Sequence, residues 1–582
     1  MAKKTLDVRK DMGRTNLAEY ISYTWCNYNT QREQQRNQWK ELRDYVFATD
    51  TKTTTNSKLP WKNSTTTPKL CQIRDNLHSN YISALFPNDD WIRWEAYSLE
   101  DAKKKKAESI KAYMANKTRI SDFRDEVDKL VYDYIDYGNA FATVDFVTQF
   151  IEDVHQQKVV SYQGPVIRRI SPYDIVFNPL AKNFIDSFKI IRSIKTVGEV
   201  YSMRDENPDD YQLAEAIINR GKLKEALKTY TIEDQDKAQG FTMDGYGNYQ
   251  EYLESGYVEF LDFYGDYYDE ATGMLCKGYR ITVMDRMWVV HSQVIPQWFG
   301  HAPIYHAGWR KRPDNLWAMG PLENLVGMQY RIDHLENAKA DAMDMAIMPP
   351  LVIAGDVEQF TWGPNSEIHL DENGQVTELA RNVQWVLQAD AAIERLEMKM
   401  EQFAGAPREA MGMRTPGEKT AFEVQRLDNA AGRIFQEKVT TFEISLLERC
   451  LNAMFESAKR NMDQDDVVKV LDNDLGVEVF KSITRDDITA SGVLRPIGAR
   501  HFAAQSQLVQ NITQLSATPI WNQISPHMST AQLASLIEDV LGLNRFQLFK
   551  PNAGLYEQQD MQRTVNQVNE DLLAEQSQPP AQ

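Results

Sequence analysis

Cysteine is scarce. Cys26, Cys71, Cys276 and Cys450 are scattered through 582 residues with no CxxC pair, which supports neither a structural zinc site nor a disulfide framework and fits a reducing cytoplasm. No stretch approaches the roughly eighteen uninterrupted apolar residues of a membrane-spanning helix, and no apolar core follows the basic start at Lys3 and Lys4. Neither export nor membrane insertion is expected. Positive charge is also short: 65 Lys and Arg face 83 Asp and Glu, a formal net charge of -18. This excludes a protein that coats nucleic acid through a basic surface and leaves only local or loose contact. Between Tyr201 and Leu275, 17 acidic residues face 6 basic ones, so this stretch supplies more than half of the excess and reads as a solvated outer surface.

Catalytic signatures are missing as well. No G-x-x-x-x-G-K-[ST] loop is present, so an ATP-driven motor is disfavoured, and H-E-x-x-H, G-x-S-x-G and the kinase set are absent. Gly245-Tyr246-Gly247 lacks the third glycine and following helix of a dinucleotide site. His301 and His306 are five apart on an expected strand, which puts them on opposite faces and favours structural roles. Asp89-Asp90, Asp209-Asp210, Asp465-Asp466 and Asp486-Asp487 resemble fragments of two-metal sites, but adjacent acids on a polar surface are more often simply hydrated. No cofactor and no metal ligand set is expected, and the chain is read as a non-enzyme.

What is there is ample apolar and aromatic material, 42% hydrophobic with 12 Trp, 26 Tyr and 23 Phe, enough for several cores. The polar run Asn16–Asp44 reads as one mostly exposed helix, and a Thr/Lys/Ser loop then precedes a helix over Pro68–Leu85. A helix over Leu99–Met114 carries Lys103–Lys106, a phosphate patch or, more commonly, a solvated face. Helical spacing over Phe123–Tyr137 turns at Gly138-Asn139 into a strand over Ala140–Val147. Short strands are expected at Lys158–Tyr162, Val166–Ile170 and Asp174–Phe177. A second group covers Gly256–Tyr264, Met274–Val283 and Met287–Ser292, with turns at Gly265 and Asp285-Arg286.

A long helix follows, Gly320–Met348, roughly 43 Å at helical rise. Leu325, Met328, Ile332, Leu335, Ala338, Ala342 and Ala346 form its apolar stripe, with Asp333, Glu336 and Asp341 mostly away from it. Pro349-Pro350 stops it. Leu351–Leu387 reads as a small β module, including a strand at Val383–Val386, and a helix resumes over Ala389–Phe403. A Gly- and Pro-rich loop carrying Arg408 and Arg414 then leads to Thr415-Pro416-Gly417-Glu418, a capping residue with Pro at the first helical position and Glu three after the Thr. The helix it starts runs to about Met462, roughly 70 Å. Beyond Arg485 helices with polar connections are expected, ending in a Gln-rich tail.

This order of parts resembles the portal, or head-to-tail connector, protein of short-tailed bacteriophages, over about residues 16 to 555. Tyr137-Gly138-Asn139-Ala140, Ile170-Ser171-Pro172-Tyr173-Asp174-Ile175 and Tyr264-Gly265-Asp266 look like the family's wing. Gly320-Pro321-Leu322-Glu323-Asn324-Leu325 with Gln329 and Asn337 looks like its first stem helix. Gly412-Met413-Arg414-Thr415-Pro416-Gly417-Glu418-Lys419-Thr420-Ala421 looks like the end of its tunnel loop.

The resemblance implies an α+β, mainly α, portal-type fold that assembles as a ring. Its parts would be the wing over 1–317, the first stem helix over 318–348, the clip over 349–388 and the second stem helix over 389–404. The tunnel loop would cover 405–417, the long helix and return part of the wing 418–490, the crown 491–556 and a C-terminal tail 557–582. It further implies a dodecamer at one capsid vertex of the virion, assembled in the host cytoplasm with major capsid and scaffolding proteins. Double-stranded DNA would pass non-specifically, driven by an external terminase, and tail adaptor proteins would dock later. By residue, Asp333, Glu336 and Asp341 fall on the stem and channel, Trp362 and Asn365 on the clip face that meets partners, and Arg408, Met411, Met413, Arg414 and Lys419 at the tunnel loop. Two alternatives stay open: a tail adaptor or tube protein, and a metal-dependent nucleic-acid enzyme.

Overall fold

The computed structural model describes residues 15–47, 65–86, 91–98, 104–152, 158–206, 211–229, 256–269, 274–295, 301–347, 351–354, 375–378, 384–404, 434–462, 466–472 and 477–496. The chain divides into two units, Met1–Ser83 with Ile92–Pro496, and Ala84–Trp91 with Ile497–Gln582. Of the second only 84–86 and 91 are described, so the expected crown and tail lie outside the described residues from 497 onward. The first unit is mixed α+β, with helix outweighing strand.

The polar N-terminal run is two helices, α1 (Thr15–Gln31) and α2 (Glu33–Val46), broken at Arg32. The expected exposure holds for most of the polar residues, but Ile21, Trp25, Trp39 and Leu42 are buried. Few apolar residues suffice because they recur at steps of three or four, giving each helix one dry stripe. Trp39 lies among Tyr137, Tyr173 and Trp317, with ring centroids 5.1, 5.6 and 5.7 Å away.

After α3 (Lys69–Leu85), β1 (Ile92–Ala96), α4 (Lys104–Ile120) and α5 (Phe123–Asp136), the chain forms β2 (Asn139–Glu152) and β3 (Lys158–Ile170). A 3-10 turn at Pro172–Asp174 precedes β4 (Ile175–Phe177), β5 (Lys189–Thr196), α6 (Val197–Glu206) and α7 (Tyr211–Thr229). Then come β6 (Tyr257–Asp269), β7 (Met274–Met284), β8 (Trp288–Val294), β9 (Ile304–Gly308), β10 (Arg310–Arg312) and β11 (Asn315–Met319). Where two short strands are expected, β3 is continuous, with Pro165 opposite Phe146. The order β3-β2-β9 leaves β3 at a sheet edge, where proline is tolerated.

Strands β4 to β8 make one antiparallel meander in chain order. Alternation sorts its side chains: Leu261, Phe263, Ile281 and Val283 pack with Ile21 and Trp25 of α1, whereas Val258, Phe260 and Met284 meet Val200 of α6 and Leu213 of α7. Helices thus cover both faces. Gly265, expected at a turn, lies within β6 at a register shift. The Asp285-Arg286 turn is as expected, with φ of +49 and +61 that suit a tight hairpin. Two non-glycine residues hold this conformation because both are tied down. Arg220 donates to Asp285 at 2.7 Å, and Arg286 donates to both oxygens of buried Glu259 at 2.7 and 2.9 Å.

Gly138 has φ +67, and a Cβ there would lie 2.3 Å from the backbone nitrogen of Gly320. Next to it, fully buried Asn139 donates to the Tyr137 and Ala318 carbonyls at 2.7 and 2.8 Å and accepts from the Ala318 N–H at 2.9 Å. Two strings that carry the resemblance, one before β2 and one before the long helix, therefore meet at a single backbone crossing.

That helix is α8 (Val326–Ile347), followed by β12 (Leu351–Ala354), β13 (Gln375–Glu378) and α9 (Gln384–Ala404). Of the expected strand at Val383–Val386, Val383 lies outside the described residues and 384–386 are instead in the first turn of α9. Helix is described again from 434 to 461, with a π segment at Glu443–Leu447 and α10 (Glu448–Asn461) at its end. The expected stop near Met462 holds, while 405–433 lie outside the described residues. Strands β14 (Asp466–Asp472) and β15 (Val477–Ile483) pair antiparallel, α11 (Arg485–Ile488) follows, and β16 (Gly492–Pro496) pairs with β1, Ile92 opposite Pro496. Residues 492–496, expected in the crown, thus complete a sheet of the first unit.

Candidate functional site

The long helix begins later than the sequence suggests. Glu323 Oε1 accepts from the Gly320 N–H and from Trp39 Nε1, both at 3.2 Å, and a 3-10 turn at Glu323–Leu325 leads into α8. The helix is thereby anchored to α2 and to the Gly138 crossing.

The buried face of α8 includes Leu325 and Ile332 of the expected apolar stripe, but beside them it takes in a polar ridge that the stripe did not contain. Leu325, Gln329, Asp333, Asn337 and Asp341, one ridge at steps of four, are all buried. Met328, Leu335, Ala338 and Ala342 are only half-buried. The cause is a strap of chain, 65–70, laid along the ridge. Asn337 accepts from the Thr65 N–H at 2.7 Å and donates to the Thr65 carbonyl at 3.1 Å. Asp333 Oδ1 accepts from the Thr67 N–H at 3.0 Å and from the Gln329 amide at 2.8 Å. Gln329 donates to the Thr67 carbonyl at 2.6 Å and accepts from the Leu70 N–H at 3.2 Å.

The geometry explains the pattern. Four helical residues rise about 6 Å, close to the span of about 6.6 Å between alternate residues of an extended chain. Carboxamides both donate and accept, so a ladder of Gln, Asp and Asn satisfies a backbone that has no strand beside it. Lys69 then crosses to α9, its ammonium 2.7 Å from Glu401 and 3.7 Å from Glu397. Burial pushes the Asp333 carboxyl up to about 6, because its hydrogen bonds only partly offset the lost hydration.

Helices α8 and α9 run antiparallel. Lys339, late in α8, is 2.7 Å from Asp390, early in α9, while the 3-10 turn before α8 contacts α9. Between them β12 and β13 form an antiparallel ribbon, Leu351 opposite Glu378 and Ala354 opposite Gln375. This hairpin leaves large apolar side chains uncovered: Met343 is 50% exposed, Val352 51%, Ile353 40% and Phe403 60%.

Of the residues singled out from sequence, Asp333, Glu336 and Asp341 all lie on α8. Asp333 and Asp341, expected at a channel, are instead buried in the chain, Asp333 because the strap occupies its face. Glu336 is half-buried, 3.1 Å from Lys339. Trp362 and Asn365, and Arg408, Met411, Met413, Arg414 and Lys419, lie outside the described residues. Sequence reasoning missed the ladder and Lys69; the available signal was the step of four among Gln329, Asp333 and Asn337.

The acidic pairs give no metal centre among the described residues, where no three His, Cys, Asp or Glu converge. Asp487 caps α11, accepting from the Thr484 N–H at 3.0 Å. Asp89-Asp90, Asp209-Asp210 and Asp465 lie outside the described residues. His306 stacks on Phe141 at 4.6 Å and bonds Asn139 at 3.0 Å; burial lowers its pKa to about 3, which fits a neutral packing residue. Among the described residues no helix is long and apolar enough to cross a membrane, and none of the four cysteines is in a disulfide. No protein family and no curated protein matches the chain.

Proposed function

We propose that this chain is the subunit of a portal-type ring, a channel for double-stranded DNA at one capsid vertex and a platform for terminase and then tail adaptor proteins. The observation that carries the reading is the pair of antiparallel helices α8 and α9 joined by a β ribbon, with Met343, Val352, Ile353 and Phe403 uncovered. A protein exposing such residues along one hairpin has apolar surface left for a neighbour. If each subunit contributes one inner helix at 8 to 10 Å spacing, twelve enclose an opening of about 22 to 28 Å. A duplex about 20 Å wide passes through that, and an acidic bore would not neutralise its phosphates tightly enough to stall it.

In this reading the strap and ladder stiffen the stem, the ribbon belongs to the clip, and Arg408, Arg414 and Lys419 touch the DNA backbone transiently. The adaptor alternative expects no β insertion between two stem helices, and β12–β13 is such an insertion. The enzyme alternative needs free carboxylates, and Asp487 is spent on a helix cap. The test is electron microscopy with particle mass: twelve copies of 67.1 kDa amount to about 805 kDa around an open bore. Monomers at high concentration with scaffolding protein present, or a solid particle, would overturn the reading.

A further inference from the structure

We propose that α2 carries a binding site for the phosphodiester backbone of nucleic acid, formed by Arg36, Lys40 and Arg43. The three cations stand at steps of four and three, hence within one narrow arc of the helix, beside the stripe of buried Trp39, Leu42 and Val46. Together they line a cavity of about 250 Å³ with Asn37 of α2 and Tyr173. Among the described residues none of the three side chains has an ion pair or hydrogen bond. In a chain with a net charge of -18, three adjacent cations without carboxylate partners are unexpected unless an anion is supplied from outside.

The cavity selects the class of anion. Its walls offer guanidinium, ammonium, amide and hydroxyl donors with a single carboxylate, Glu33, and no aliphatic floor that would hold a peptide or a lipid chain. From Arg36 to Arg43 the helix rises about 10.5 Å, the axial length of roughly three phosphate-to-phosphate steps on one strand. The three cations are groups that hold phosphate oxygens, so the proposed recognition is of the backbone and independent of sequence. The site does not depend on ring assembly, since every atom of it belongs to one chain.

The experiment is fluorescence anisotropy of a labelled 20-bp duplex against the full chain from 50 to 200 mM salt. It compares the native protein with Arg36→Gln/Lys40→Gln/Arg43→Gln and with a charge-matched control, Arg93→Gln/Arg119→Gln/Lys182→Gln. Three phosphate contacts give a slope near -2.7 in log affinity against log salt, or about 40-fold weakening across this range. The control should keep that slope, and the α2 variant should lose duplex binding at 50 mM salt. Equal binding by the α2 variant, or none by the native chain, would overturn the proposal. So would an α2 variant that binds the duplex normally but loses inorganic phosphate, which would make the site one for a free anion. A change in self-association without any change in duplex binding would assign the cations to a second copy of this chain and likewise overturn it.

Discussion

Asp333→Asn isolates the electrostatic part of the strap's attachment. The Asp333 carboxyl is raised from 3.8 to about 6, chiefly by burial, with the Thr67 N–H and the Gln329 amide pulling it down and Glu336 adding to the rise. Because the folded value exceeds the unfolded one, the native state holds a proton that the open chain releases. This contribution to stability is complete below about pH 4 and is lost as pH rises through 6. Between pH 4.5 and 7.5 the linkage amounts to about 25-fold in the opening equilibrium, or about 2 kcal/mol. Asn at 333 retains an acceptor for Thr67 and Gln329 but does not titrate. Hydrogen exchange of the Thr65–Leu70 amides, native against variant at matched pH so that intrinsic exchange cancels, should therefore give a protection ratio that falls about 25-fold over that range. A second readout is Tyr45, whose phenol is held up to about 12 by burial and next by the Asp333 charge; it should titrate lower in the variant. A protection ratio that stays flat with pH would refute the placement of a buried, titrating carboxyl under the strap.

Gly138→Ala should abolish soluble folded protein, since the added Cβ meets backbone at 2.3 Å and the left-handed conformation alone costs about 1–2 kcal/mol; thermal melts and expression yield measure it. Arg286→Met should destabilise by about 3–5 kcal/mol by removing the guanidinium that bonds both oxygens of buried Glu259, while Glu259→Leu with Arg286→Met should recover most of the loss in denaturant titrations. Val352→Lys with Phe403→Lys should leave the circular dichroism of the chain unchanged and lower the yield of large particles in mass photometry; undiminished assembly would remove these side chains from any interface.

Much of the element order was legible in the sequence because it rests on local chemistry. Pro349-Pro350 stops a helix for want of N–H donors, Asp285-Arg286 marks a tight hairpin, and periodicity identifies α5, β6, β7 and α9. Local patterns also set the succession of helix, β ribbon and helix. Tertiary structure alone decided which side of α8 is inside. Polarity along a sequence is read as exposure, yet Gln329, Asp333 and Asn337 are buried because backbone groups more than 250 residues earlier in the chain accept and donate their hydrogen bonds. The same holds for Trp25 of α1 and Trp39 of α2, which are buried by a sheet and by rings that come much later. A polar group is stable inside only when a partner satisfies it, and where that partner lies is fixed by the fold rather than by its neighbours in sequence.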